Sequence, residues 1–253
     1  GYRSPLVDEA HLRSGGVKIV IQEATGKMYP RQEDLKKLVL AIHRAGFQAV
    51  FHAVEKEAIE AACSAVDYAL RLCPRRDHRH RIEHCSICPP RLEDRIAALG
   101  IAVVTQPPFI YYSGDRYLKT VPPVDQEHLY AMGTMRQRGL LVGASSDFPI
   151  ADPHPLVGIY AAVTRRTETG DIVGSKEGVP PLEALRMYTS SAAAVNFEEE
   201  IKGAIRPGQV ADFAVLSDDP LRVDPLRIRD IAVEMTILDG RVVYSRGDRF
   251  ILT

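Results

Sequence analysis

Short apolar runs alternate with helix-patterned stretches about five times along this chain, and that alternation limits the fold more than any other feature. The runs are residues 17–21 (VKIVI), 47–51 (FQAVF), 101–105 (IAVVT) and the LLV segment before Gly143, and residues 79–83 (RHRIE), with Ile82 their one apolar side chain, read as a further strand in the same alternation. Four to eight largely apolar residues bounded by turn formers suit strands buried in a parallel sheet. Between them, residues 31–45 place Leu35, Leu38, Val39 and Ile42 at helical spacing and stop at Gly46. Residues 55–72 form an Ala-rich helical stretch closed by Pro74, and Pro89-Pro90 opens another carrying Leu92, Ile96 and Leu99 up to Gly100. Residues 109–124 read as a long loop rich in Tyr and Pro, and Asp125 as the N-cap of a helix reaching about residue 138. Residues 22–30 read as loop. Repeated β–α alternation predicts an α/β fold with a parallel sheet and right-handed crossovers.

Polar residues punctuate the strands. Lys18 lies inside the first, and the others run into His52, His84, Gln106 and Asp147. Parallel neighbours present their C-terminal ends on one side, where α/β barrels carry their chemistry. Imidazole and carboxylate are the ligands of a hydrolytic divalent metal, most often zinc. Such an ion lowers the pKa of bound water to about 7 and polarises a carbonyl. Asp147 could both bind it and accept the proton of the attacking water. Each residue also has a plainer reading: His52 and His84 as hydrogen-bonded strand ends, Asp147 as a turn residue before Pro149. Lys18 sits among apolar residues, which predicts burial, and a buried lysine needs a partner or a modification. His154 follows Asp147 closely enough to line a pocket, and Tyr111, Tyr112 and Tyr117 make the long loop a candidate wall. The other histidines, His11, His43, His78, His80 and His128, read as surface residues.

Composition narrows the function classes. A net charge of −1 with no basic block argues against nucleic acid or an anionic membrane as main partner. No apolar run approaches the ~18 residues of a membrane span. Four cysteines do not make a disulfide scaffold at 253 residues, so a reducing, cytoplasmic setting is the expectation. Cys85 and Cys88 have zinc-knuckle spacing, but with only Cys63 and Cys73 as companions free thiols are expected.

After Pro155 the chain reads as helices over 156–165, 181–188 and 190–196, and then its character changes. A turn-rich GAIRPG segment at 203–208 precedes strands at 211–216, 231–238 and 241–244, with Asp239-Gly240 a hairpin signal between the last two. The expected division is a barrel part, 1–200, and a small β unit, 201–253.

Several segments resemble the amidohydrolase superfamily, close to its family 3 group. They are GVKIV around Lys18, HRAGFQAVFHAVEKEAI around His52, HRIEHCSICPPRLEDRIAALGIAVVTQPP around His84 and GASSDFPIADPHPLVGIYAAVTRR around Asp147. In the tail, LEALRMYTSSAAAV and KGAIRPGQVADFAVLSDDP resemble it too. The resemblance implies a (β/α)8 barrel of TIM type with a small β-sandwich, seen here as its C-terminal half. It implies Lys18 as a carboxylated ligand bridging two metals, His52 and His84 as ligands of one metal, and Asp147 as last-strand ligand and proton acceptor. It also implies action on an amide, formamide or related C–N bond of a small molecule. The family's first-strand His-x-His pair does not precede Lys18; His78-Arg-His80 has that spacing but follows the His52 strand. Gln22-Glu23-Ala24-Thr25 stands where many relatives have Asp-Gly, and Glu55-Lys56-Glu57 where Gly-Asp-Arg is usual.

The early βα units are therefore expected from elsewhere: the parent chain, another polypeptide, or self-association across the open edge. The working expectation is a metal-dependent hydrolase holding one or two zinc-like ions. Its rival is a catalytically inert scaffold that keeps the fold without the complete metal site. A phosphate-binding barrel isomerase is disfavoured because no Gly-rich phosphate loop follows the late strands.

Overall fold

A computed structural model describes residues 15–24 and 27–247. The five strand segments form one parallel sheet. Its strands are β1 (Val17–Val20), β4 (Ala49–Ala53), β5 (Arg81–His84), β6 (Ala102–Thr105) and β7 (Val142–Ala144), side by side in chain order. Between β1 and β4 lie a small hairpin of β2 (Gln22–Ala24) and β3 (Lys27–Tyr29), then helix α1 (Gln32–Arg44). Helices α2 (Lys56–Leu72) and α3 (Pro90–Leu99) make the next crossovers. Sequential order with a helix at each crossover is the arrangement of consecutive barrel units.

Cross-strand register explains which side chains are buried. Ile19, Phe51, Ile82, Val103 and Val142 pair in one row, and all are buried in a core that also takes Leu35 and Val39 of α1, Ile59 and Val66 of α2, and Leu92 and Ile96 of α3. The alternate rows, Lys18–Val50–Arg81–Ala102 and Val20–His52–Glu83–Val104–Gly143, face the other way. Helix α9 (Ser190–Val195) covers part of that second face: a side chain at Gly143 would meet Ala192 and Val195 at 3.5 Å.

Lys18 is not buried as its apolar neighbours suggest. It is exposed, because β1 is the edge strand among the described residues and α9 packs on β6 and β7 instead. Three other expectations also change. Residues 22–30 contain the β2–β3 hairpin rather than plain loop. The expected loop at 109–124 is mostly helix α4 (Pro108–Thr120): Pro108 opens it, and Ile110, Gly114, Tyr117 and Leu118 form a helical stripe that the Tyr- and Pro-rich composition hides. The helix expected at 125–138 is two pieces, α5 (Pro123–Gln126) and α6 (Met132–Gln137). Between them Leu129 bridges to Ile87, and buried Arg165 donates to the Leu129 and Tyr130 carbonyls at 2.7 and 2.9 Å. Asp125 is no N-cap; it pairs with Lys56 at 2.9 Å.

Helices α7 (Pro155–Thr164) and α8 (Pro181–Tyr188) precede α9. The tail then forms an antiparallel sheet, β10 (Arg241–Ser245), β9 (Val233–Leu238) and β8 (Phe213–Leu216) in spatial order. Asp239 and Gly240 both take positive φ, 49° and 75°, as the tight hairpin requires. Cys63, Cys73, Cys85 and Cys88 are free thiols, and burial pushes Cys63 up to about 12. Among the described residues no helix is long and apolar enough to cross a membrane.

Three histidines expected at the surface are buried: His43, His78 and His80. They tie the N-terminal ends of the strands together. The Ala49 N–H donates to His80 Nδ1 at 2.9 Å, His80 Nε2 meets His43 Nδ1 at 2.8 Å, and His43 Nε2 meets the Cys73 carbonyl at 2.7 Å. The His80 N–H donates to His78 Nδ1, whose Nε2 meets the Leu99 carbonyl, each at 2.9 Å. Backbone donors and acceptors fix every proton in this chain: all three rings are neutral with the proton on Nε2. His128 is half-buried, and His11 lies outside the described residues.

Burial drives His80 down to about 2, helped by the neighbouring His78, His43 and Arg75, and lowers His78 as well. Below the unfolded imidazole value of about 6.5 the unfolded chain takes up protons that the folded rings refuse. Stability is then expected to be level above about pH 7 and to fall below about pH 6.5, by up to ~1.4 kcal/mol per pH unit for each ring that stays neutral. Urea unfolding at stepped pH measures this, and His80→Ala should flatten the acid limb while lowering stability by about 2–4 kcal/mol. A second prediction concerns Gly203, whose φ is 101° and where a Cβ would lie 2.8 Å from Ala193 Cβ and 3.0 Å from Ser190 Cα. Gly203→Ala should cost about 2–3 kcal/mol by the same assay, and Gly208→Ala, at an uncrowded φ of 90°, about 1 kcal/mol.

Candidate active site

His52 and His84 stand at the C-terminal ends of adjacent strands. Strand alternation puts His52 on the face that α9 partly covers, but it would send His84 after Ile82 onto the opposite face, packed on α1, α2 and α3. The backbone prevents this. His84 takes φ 73° and Cys85 φ 51°, both left-handed, and the alternation breaks there. The His84 ring turns back to His52, with Nε2 to Nδ1 at 2.8 Å and the rings edge-on at 75°. Left-handed conformations at non-glycine residues are costly and persist where surrounding contacts fix them. Here Thr105 Oγ1 donates to the His84 carbonyl at 3.0 Å, and the Cys85 N–H donates to the Ala53 carbonyl at 3.1 Å.

Gln106, almost wholly buried at the tip of β6, holds the far side of the His84 ring. Its Oε1 lies 2.8 Å from His84 Nδ1, and its Nε2 donates to Ser145 Oγ at 3.1 Å and to the Val104 carbonyl at 3.3 Å. Phe109, the second residue of α4, stacks nearly parallel to the His84 ring at 6.4 Å between centroids.

Burial lowers the pKa of both imidazoles. For His52 the Lys18 charge lowers it further, against Asp147 and Glu83; for His84 the neighbour His52 lowers it further, against Asp147 and the Gln106 hydrogen bond. Both rings are therefore neutral at physiological pH, the form that ligates metals. Lys18 and Asp147 are close enough for their charges to act on both rings. Asp147 is exposed and also left-handed, φ 56°. Glu83, buried beside His52 in the sheet register and paired with Arg81 at 2.6 Å, is a charge near the site that sequence reading passed over.

The four strand residues therefore share one electrostatic neighbourhood, and two of them touch. His154 is exposed at the start of α7, where its N–H donates to Asp152 at 2.8 Å. Tyr112 is exposed, and burial, then the Asp152 charge, raises its pKa, which places it beside the segment that follows Asp147. Tyr111 backs Tyr112 at 5.0 Å, packs on Tyr160 and accepts from Arg229 at 3.2 Å.

Among the described residues no three His, Cys, Asp or Glu side chains are grouped to hold a metal ion. Two neutral imidazole nitrogens facing each other do fit two positions of a zinc-type ion. Tetrahedral bonds of about 2.0–2.1 Å set such nitrogens about 3.3 Å apart, so the 2.8 Å pair needs to open by only about half an ångström.

The profile of the amidohydrolase family matches residues 7–244. The Bacillus subtilis (strain 168) protein YtcJ, provisionally named an amidohydrolase, is 28% identical over 98% of this chain and 45% of its own length. The N-substituted formamide deformylase of Arthrobacter pascens is 28% identical over 97% of this chain and 44% of its own length. The crystal structure of an uncharacterized metal-dependent hydrolase from Pyrococcus furiosus superposes with a TM-score of 0.72 at 25% identity, covering 85% of this chain and 47% of that one. The chain thus spans less than half the length of the curated relatives it matches. With its family profile covering nearly the whole sequence, this chain belongs to the amidohydrolase family.

Proposed function

We propose that this chain supplies the late-strand half of the active site of a metal-dependent hydrolase that cleaves an amide-like C–N bond in a small molecule. The observation that carries the reading is the meeting of His52 and His84 at 2.8 Å on adjacent strand ends, beside the charges of Lys18 and Asp147. The name of the Arthrobacter relative suggests the substrate chemistry, an N-substituted formamide or a close analogue.

His52 and His84 would hold the ion, zinc by its preference for imidazole, with Asp147 as a further ligand. A second ion would be bridged by Lys18, whose exposure leaves room for carboxylation of Nζ. When bound, the metal would supply Lewis acidity toward the substrate carbonyl and lower the pKa of a water to about 7. The rest is the work of this chain. The Asp147 carboxylate accepts the proton of the attacking water and returns it to the departing nitrogen, so that an amine leaves neutral. Tyr112, backed by Tyr111, and His154 border the approach and orient the substrate.

Residues 1–200 as barrel part and 201–253 as small β unit belong to the same reading. So does completion of the site by strands beside β1, from the parent chain, another polypeptide or a second copy. The exposed face at Lys18 and Val20, and relatives about twice as long, support it. The four free thiols suit a reducing cytoplasm.

Elemental analysis should find about one or two zinc-type ions per folded chain, lost in His84→Ala. Asp147→Asn should lower turnover of an N-substituted formamide by roughly 10²–10⁴-fold. A folded wild-type chain without metal, or unchanged turnover in Asp147→Asn, would contradict the reading.

A further inference from the structure

We infer that Gln106 is a positioning residue that fixes His84 as its Nδ1–H tautomer and so makes Nε2 the atom offered to the metal. The metal half of this statement rests on the function proposed above; the tautomer half stands on hydrogen-bond chemistry alone.

The Gln106 amide can take only one orientation. Its Nε2 lies 3.3 Å from the Val104 carbonyl, an atom that can only accept, and 3.1 Å from Ser145 Oγ. Flipping the amide would set two carbonyl oxygens against each other inside a side chain that is 1% exposed. Oε1 therefore faces His84 Nδ1 at 2.8 Å, and an acceptor there requires the proton on Nδ1. In the neutral ring Nε2 is then bare, and it points at His52 Nδ1. Without metal, His52 fills that lone pair by donating its own Nδ1–H. The Thr105 hydroxyl on the His84 carbonyl fixes the backbone while Gln106 fixes the ring, so successive residues of the β6 tip set both the place and the proton of one ligand. Partners of this kind, behind a ligating histidine, fix its tautomer and raise its basicity.

The three histidines at the opposite end of the sheet carry their protons on Nε2, because backbone N–H groups and a ring N–H occupy their Nδ1 atoms. His84 and His52 should carry theirs on Nδ1. The metal-free chain thus holds two classes of neutral histidine in one molecule, and the basal rings serve as an internal reference.

Long-range ¹H–¹⁵N correlation spectra of the metal-free chain at about pH 8, where unperturbed imidazoles are neutral, read the tautomers directly. Wild type should show His84 protonated at Nδ1 and His80 at Nε2. Gln106→Leu should shift His84 toward Nε2–H or a mixture and weaken zinc binding by about 10–100-fold. Gln106→Met keeps the length and bulk of the side chain without the amide acceptor and should lose the fixed Nδ1 proton and zinc affinity as Gln106→Leu does; a wild-type tautomer and zinc affinity in folded Gln106→Met would mark the role as packing alone and overturn the inference. An Nε2 proton on wild-type His84 overturns the inference even if Gln106→Leu does not fold, and so does an unchanged Nδ1 signal in a folded Gln106→Leu. Correct tautomers with no zinc uptake in any variant would uphold the positioning role and overturn the metal reading.

Discussion

The candidate site depends on one break in strand geometry. Side chains in a parallel sheet alternate between faces, so His84, in register with Ala53 and not with His52, need not meet the His52 ring. Here they meet because His84 leaves the strand conformation for the left-handed region, φ 73°, and its ring swings across to within 2.8 Å of His52. That backbone state is unfavourable for a residue with a Cβ, and the surrounding hydrogen bonds from Thr105 and Cys85 hold it. Strain concentrated at two of the strand-tip residues, His84 and Asp147, sits where the family resemblance places the chemistry.

Much of the scaffold was legible in the residues. Four of the parallel strands grew from apolar runs and β5 from a polar segment around Ile82, and the helices of the first crossovers fell where 3.6-residue spacing and Gly46 or Gly100 put them. The misreadings have physical causes. In α4 the apolar stripe is made of Ile110, Gly114, Tyr117 and Leu118, residues whose composition says loop while their spacing says helix. The helix expected after Asp125 is interrupted where Arg165, 36 and 35 residues further on, claims the Leu129 and Tyr130 carbonyls. Lys18 obeyed the sheet pattern but not the burial expected from it, since burial depends on what packs against an edge strand and not on the strand itself.

The site itself was half legible. His52, His84 and Asp147 announced themselves as polar residues closing apolar strands, and Gln106 carried the same signal in the Thr105-Gln106-Pro107 sequence. Its role was not readable there, because it comes from an amide orientation settled by the Val104 carbonyl and Ser145. The basal histidines taught the opposite lesson. His43, His78 and His80 looked like surface residues beside arginines and an aspartate, yet backbone partners around the strand starts bury all three and fix their protons. One chain thus uses neutral imidazole in two ways: as a permanently satisfied tie at the strand starts, and as a pair with a bare nitrogen at the strand ends.

What ties these observations to function is whether the paired imidazoles at the strand ends share a metal ion. X-ray absorption at the zinc edge of the zinc-loaded chain tests this most directly. The account predicts two imidazole nitrogens at about 2.0–2.1 Å, one of which disappears in His52→Ala and one in His84→Ala. A spectrum fitted by oxygen ligands alone, or by imidazole scattering that survives both substitutions, would contradict it.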